Sequence, residues 1–92
     1  MTGSDKQVAW AEKIIADKVH ALEVMIKSCE QTREAFGAYV QGDEKRVEMA
    51  SNAICELRAQ DDATHIINRV RNENHVQQID YAVQGIIRRD EI

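Results

Sequence analysis

Apolar residues recur every seven positions along the first forty residues and predict one long amphipathic helix. The stripe consists of Val8, Ile15, Leu22, Cys29 and Phe36. This spacing keeps the side chains on one helical face, and the chain contains no proline to interrupt it. We therefore expect a helix from Ser4 to Gln41 around which the rest of the chain is organised.

Local signals mark the two ends of this helix. Ser4 followed by Gln7 is a capping-box pattern, in which each side chain bonds to the backbone N–H of the other residue. Gly37 is the weak point, because glycine inside a helix costs roughly 1 kcal/mol relative to alanine. The helix either kinks or ends there, or it continues to Gly42, which suits a position just past a helix end.

Three shorter helices are predicted after Gly42. Asp43 is expected to cap a helix over about residues 44–60, since its stripe repeats at helical spacing. Asp62 and Asn74 are expected to cap a short third helix and a fourth one. No alternating strand pattern occurs. The prediction is one all-α domain over residues 1–92, a bundle of a long N-terminal helix and two or three shorter ones, with more than about 65% helix.

A second apolar row on the long helix predicts self-association. It carries Trp10, Ile14 and Val24, and the later helices are too short to cover both rows. Trp10 either packs beneath those helices or anchors a partner, since tryptophan is enriched at interface hot spots. Exposed apolar patches usually mark an interface, and two-fold dimers are the commonest oligomers. We expect a homodimer.

Composition narrows the classes of function. The net charge of −4 argues against generic binding to a phosphate backbone, which needs a basic surface. No apolar run is long enough for a transmembrane helix, and no signal peptide begins the chain. We expect a cytoplasmic protein. Cys29 and Cys55 are expected to be buried free thiols, with a disulfide as the minor alternative.

Motifs for catalysis or metal binding are absent from the sequence. The spacings of His20, His65 and His75 match no metal motif, and there is no C-x-x-C pair. The serines lack a nucleophile elbow, and there is no phosphate-binding glycine loop. We expect neither an enzyme nor a cofactor.

The opening segment Gly3-Ser4-Asp5-Lys6-Gln7-Val8-Ala9-Trp10-Ala11-Glu12-Lys13-Ile14 resembles a segment of small helical proteins from phages, plasmids and other bacterial mobile elements. The resemblance covers about twelve residues. It implies a bacterial or phage setting and an accessory gene. Small acidic helical phage proteins often bind a host protein, and inhibitors of bacterial immune systems, anti-CRISPR proteins among them, fit this description.

Two hypotheses follow. The first is a non-catalytic interaction protein that inhibits a host defence or nucleic-acid-handling complex, because an acidic surface can occupy a basic groove. Its candidate contact residues are Glu30, Glu34, Asp43, Glu44 and Glu48. The alternative is a small nucleic-acid-binding regulator with an anion site. Its candidate residues are Arg69, Arg71, Arg88 and Arg89, which otherwise form a solvated face and complement helix dipoles.

Overall fold

Four α-helices and one 3₁₀ turn make up most of the chain in the computed structural model, which describes residues 1–90. The helices are α1 (Asp5–Phe36), α2 (Asp43–Arg58), α3 (Ala63–Asn68) and α4 (His75–Asp90), with the 3₁₀ turn at Val70–Asn72 before α4. Helix accounts for 81% of this structure, and it holds no strand. The predicted all-α bundle with a long first helix is confirmed.

The helices α1, α3 and α4 begin where local capping chemistry predicts. The Ser4 hydroxyl accepts from the Gln7 N–H at 3.2 Å, and the Gln7 side chain accepts from the Ser4 N–H at 3.0 Å. Asp62 accepts from two backbone N–H groups at the start of α3. Asn74 accepts from the Gln77 N–H at 3.1 Å ahead of α4. Each cap satisfies N–H groups that have no partner within the helix.

The expected run of α1 to Gln41 is wrong, because the helix ends at Phe36. Gly37 adopts a left-handed conformation with φ of 76°. An L-residue pays a steric penalty there, whereas glycine does not. The helix therefore stops at the first of the two glycines that could end it, and residues 37–42 form a connection to α2.

Gly37→Ala should lower the free energy of unfolding by about 1 kcal/mol, because alanine is disfavoured at a positive φ. Open space surrounds the position, so a methyl group meets no atom within 4 Å. Gly85→Ala is the control, since Gly85 lies inside α4 in equally open space, and it should stabilise by about 0.5–1 kcal/mol. Urea denaturation measures both. A gain at Gly37 would contradict the helix end described here.

The second helix also begins differently from the prediction. Its N-cap is Gly42, with φ of 86°, and Asp43 is the first helical residue. The Asp43 side chain accepts no cap hydrogen bond and instead pairs with Arg46 at 2.8 Å. Asp43 still places a negative charge at the positive end of the helix dipole, although its side chain is buried in the protein.

The core forms where all four helices meet. Its largest fully buried side chains come from different helices: Leu22, Ile66 and Val83. Ala50 contributes a fully buried small side chain from α2, which lets that helix approach closely. Burying each large aliphatic side chain stabilises the fold by roughly 1.5–3 kcal/mol. The first three residues of the apolar stripe on α1 accordingly face this core or its edge: Val8, Ile15 and Leu22.

The packing of the helices leaves the molecule elongated. Helices α2 and α3 lie along α1, whereas α4 packs mainly against α2. The Cα atoms extend over 49 × 28 × 16 Å, and their radius of gyration is 15.5 Å, above the roughly 12 Å of a compact chain of this length. Near the start of the chain, Thr2 forms an isolated parallel β-bridge with Asp62. In this bridge the Thr2 N–H donates to the Asp61 carbonyl at 2.6 Å.

No helix within residues 1–90 combines the length and the apolarity needed to cross a membrane.

Candidate functional site

A large aromatic side chain stands exposed where α1 ends. Phe36 is 75% exposed, although its heptad position predicts a core residue. The reason is geometric: α1 ends at this residue, so the stripe extends past the helices that cover its earlier positions. Val40, in the connection to α2, is exposed as well. We call the region at the end of α1 and the start of α2, which includes Glu30, Glu34, Phe36, Val40, Glu44 and Glu48, the α1–α2 tip.

The carboxylates of the tip differ in their partners. Glu30 accepts a hydrogen bond from the Tyr39 hydroxyl and lies 3.3 Å from Arg33. Glu48 lies 3.4 Å from Lys45. Both Glu34 and Glu44 are exposed and, within residues 1–90, form no ion pair. These two carboxylates remain free to meet a cation on a partner.

A shallow groove of about 290 Å³ adjoins the tip between α2 and α4. Its apolar side is formed by Val83, Ile86 and Ile87 of α4, and its polar rim includes Glu44 and Glu48 of α2. Gly42 lies at one end, closely packed against α4. An apolar floor with a charged rim is the usual anatomy of a protein-binding surface.

Asp43 is buried beneath the α1–α2 tip and is not part of its exposed surface. It is 8% exposed, and its carboxylate pairs with Arg46. The Arg46 guanidinium also reaches Asp80 of α4 at 3.0 Å. Of the five acidic positions that the sequence suggests, Asp43 therefore ties α2 to α4, and the other four remain at least partly exposed.

The surroundings of Arg46 favour its charged form. Burial alone would lower the pKa of Arg46, but its hydrogen bonds to Asp43 and Asp80 outweigh that effect and the pKa is raised. Cys29 of α1 lies close by. Burial and then the carboxylate of Asp43 raise the pKa of the Cys29 thiol, so the thiol stays protonated and unreactive.

The four arginines of the alternative hypothesis do not form one patch. Arg69 and Arg71 lie before α4, and Arg88 and Arg89 lie in its last turn, roughly 20 Å away along the helix at 1.5 Å per residue. Arg88 and Arg89 follow Ile87, which lines the tip groove with Glu44. The last turn of α4, which carries these two arginines, therefore lies at the same end of the molecule as Glu44.

The row predicted for self-association is only partly exposed. Ile14 is buried in the core, which removes it from any contact with a second copy. Val24 is 53% exposed and Trp10 is 47% exposed. The guanidinium of Arg71 covers part of Trp10, with its central carbon 5.3 Å from the ring centroid. This stacking could not be predicted from the sequence, since the two residues are 61 positions apart.

Both cysteines are free thiols, as expected, but Cys55 is exposed and not buried. It follows buried Ile54 in the helix and so points away from the core. Within residues 1–90, no three histidine, cysteine, aspartate or glutamate side chains converge on a point that would hold a metal ion.

Comparisons with protein-family models, with curated proteins and with solved structures found no match for this chain.

Proposed function

We propose that this chain is a small non-catalytic interaction protein that binds a host protein through the α1–α2 tip. The observation that carries the proposal is the exposure of Phe36. Burying an aromatic side chain of this size is strongly favourable, and a partner that receives it gains that contribution. Exposed Val40 lies only four residues further along the chain and extends the apolar surface.

The charges around Phe36 favour a protein partner over a nucleic acid. Phosphate backbones select surfaces of one positive sign, whereas Arg88 and Arg89 lie at the same end as the Glu44 and Glu48 rim. Protein interfaces combine an apolar centre with a mixed polar rim. The unpaired Glu34 and Glu44 fit a partner with lysine or arginine around an apolar pocket.

The setting of the proposal comes from the resemblance of residues 3–14 to mobile-element proteins. In that setting the partner is a bacterial host protein, and the tip occupies a basic surface of a defence or nucleic-acid-handling complex. Such binding inhibits the complex by covering a surface that its own nucleic acid needs. No catalytic step is required of this chain, and its place of action is the bacterial cytoplasm.

Phe36→Asp should abolish partner capture while leaving the fold intact, because Phe36 is largely exposed and a carboxylate opposes apolar burial. The tagged protein is used to capture partners from bacterial lysate, and the captured protein is then purified and titrated directly. Tyr81→Asp is the matched control, since Tyr81 is a 68% exposed aromatic residue of α4. We expect at least tenfold weaker binding for Phe36→Asp and little change for Tyr81→Asp.

Two results would refute the proposed function. One is a partner that binds both aspartate variants equally well, since the tip would then not be the contact surface. The other is tight, salt-sensitive binding to duplex DNA or RNA in a mobility-shift assay, with no protein partner dependent on Phe36. Circular dichroism on each variant separates loss of binding from loss of folding.

We also propose that two copies associate along the uncovered face of α1. Val24 supports this, because a half-exposed valine on a long helix covered from one side leaves apolar area in solvent. The smallest extent of the molecule is 16 Å, and packed helices lie about 8–10 Å apart. The molecule is therefore thin in this direction, and a second copy would add a further layer of helices.

Sedimentation equilibrium at micromolar concentration should give a mass above the 10.5 kDa of one chain, and Val24→Glu should return it to the monomer. A charge at the centre of an apolar contact costs far more than one at its rim. Ala16→Glu, an exposed change elsewhere on α1, should leave the mass unchanged. A monomeric wild-type protein would show that the dimer proposal is wrong.

A further inference from the structure

A second surface lies between α1 and the chain segment that leads into α4. It is a groove of about 460 Å³, bordered by Ile14, Asp17 and Lys18 on one side and by residues 71–76 on the other. We call it the Trp10 groove, because Trp10 supports Arg71 at its edge. Residues 14–21 of α1 are at least roughly 20 Å from Phe36 at 1.5 Å per residue, so this groove is separate from the α1–α2 tip.

Arg71 is the group in this groove that is oriented but unpaired. Its guanidinium lies over the Trp10 ring, an arrangement that restricts the side chain and leaves its N–H edge free. Among the described residues Arg71 forms no ion pair, whereas Arg33, Arg46 and Arg58 each do. A planar guanidinium held in this way matches a carboxylate through two parallel hydrogen bonds.

Most other polar groups of the groove are already engaged with one another. Lys18 donates its ammonium hydrogen to the backbone carbonyl of Glu73. The Glu73 carboxylate in turn lies 3.3 Å from His75 Nε2. These contacts hold the segment before α4 against α1, so the groove is formed before anything binds. Among the described residues, the charged groups of the groove without an ion pair are two cations, Arg71 and Lys18, and one anion, Asp17. Lys18 is held by the Glu73 carbonyl, which leaves Arg71 as the cation free to meet a ligand.

This balance of charge selects the kind of ligand. A polyanion such as single-stranded nucleic acid would bring several phosphates toward Asp17 and Glu73, although its bases would stack on Trp10. One carboxylate on Arg71 avoids that repulsion. The apolar groups Ile14, Ala21 and Val76 also line the groove, and they suit an aliphatic side chain next to the carboxylate.

We propose that the Trp10 groove binds a short segment of a partner protein that presents a single aspartate or glutamate beside an aliphatic residue. The carboxylate pairs with Arg71 against the Trp10 ring, and the aliphatic side chain contacts the apolar wall. This surface goes beyond the proposed function of the tip and does not depend on it. The molecule thereby has two separate contact surfaces, one at each end of α1.

The test is a selection of heptapeptides displayed on phage, followed by titration of the selected peptides, synthesised with capped ends, against the purified protein. Trp10 is the single tryptophan of the chain, and its ring stacks on Arg71, so its fluorescence should respond when a ligand engages Arg71. We expect selected peptides to share one acidic residue flanked by leucine, isoleucine or valine. Replacing that acidic residue by its amide should weaken binding about tenfold, the effect of losing one charge-assisted pair.

Variants of the protein locate the contact. Arg71→Ala should weaken peptide binding about tenfold, and Arg71→Lys should weaken it less, since the charge remains but the flat fork is lost. Arg69→Ala is the matched control, because Arg69 is exposed, two residues away and outside the groove, and it should change affinity less than twofold. Phe36→Asp should also leave binding unchanged, which separates this test from that of the proposed function.

Several results would overturn the inference. The first such result is a selection in which the recovered peptides share no acidic residue. Equal losses for Arg69→Ala and Arg71→Ala would show a general charge effect and not a site. Binding of a twelve-residue oligothymidylate that displaces the selected peptides and responds to Arg71→Ala would assign the groove to single-stranded nucleic acid instead.

Discussion

Arg46→Ala should lower the free energy of unfolding by about 3 kcal/mol, because it leaves Asp43 as a buried carboxylate without a cation. The Asp43 side chain is 11% exposed, so water replaces little of what Arg46 provides. Asp80 is 43% exposed and keeps much of its hydration, which places the loss at the lower end of the range for buried pairs. In a domain of this size the melting temperature should fall by at least about 10 °C.

Lys45→Ala is the control for Arg46→Ala. Lys45 precedes Arg46 and pairs with Glu48 on the surface, where an ion pair contributes less than about 1 kcal/mol. A double-mutant cycle adds a sharper criterion. In an Asp43→Ala background, Arg46→Ala should cost clearly less than in the wild type, because the partner is already absent. Equal effects for Lys45→Ala and Arg46→Ala would show that the buried pair does not stabilise the fold.

Gly42→Ala should also destabilise the protein by about 3 kcal/mol, for two separate reasons. The residue has a positive φ of 86°, which disfavours alanine by roughly 1–2 kcal/mol. The added methyl carbon would lie 2.7 Å from Val83 Cγ1 and 2.8 Å from Ile87 Cδ1. Val83 is fully buried, so its branched side chain has little room to yield, and overpacking typically costs 1–3 kcal/mol.

Gly37→Ala separates these two contributions, since Gly37 has a positive φ of 76° in open space. The difference between the two unfolding free energies measures the packing part alone, and we expect at least about 1 kcal/mol. Gly42→Ala should also weaken partner binding, because Val83 and Ile87 form the floor of the tip groove. Equal unfolding free energies for Gly42→Ala and Gly37→Ala would mean that the side chains of α4 do not oppose a methyl group at position 42.

Features encoded within a few residues could be predicted from the sequence. The capping box at Ser4 and the caps at Asp62 and Asn74 involve partners two or three positions away, and the structure contains them. The helical periodicity also gave the fold class. What these features share is that their physics is local, so no knowledge of the tertiary arrangement is required.

Features that depend on distant residues could not be predicted in this way. Arg46 meets Asp80 thirty-four residues later, and the pairing explains why Asp43 is interior. The exposure of Phe36 depends on where the covering helices stop, which periodicity does not report. If the helix is taken to end at Gly37, Phe36 becomes its last residue, where a side chain has fewer neighbours and is more exposed.

Part of the composition of the candidate site could be predicted from the sequence. Glu34, Glu44 and Glu48 are exposed at the tip, whereas the sequence places Phe36 on the apolar stripe and does not indicate that it is exposed. Arg71 was named among the basic residues, but its support by Trp10 joins two positions that the sequence keeps apart. Charged residues can be selected by composition, and their neighbours on a surface become known only when the helices are packed.

The unbroken length of α1 fixes the distance between the two surfaces. Trp10 and Phe36 are separated by roughly 39 Å along a single rigid helix, at 1.5 Å per residue. A target that offers both an apolar pocket and an acidic segment at this spacing would be held bivalently, and the second contact would form at a high effective concentration. Two contacts that are each weak would then combine into a long-lived complex, and targets with a different spacing would gain nothing. In this proposed binding mode α1 would set the spacing of the two contacts, and Gly37 determines where α1 ends.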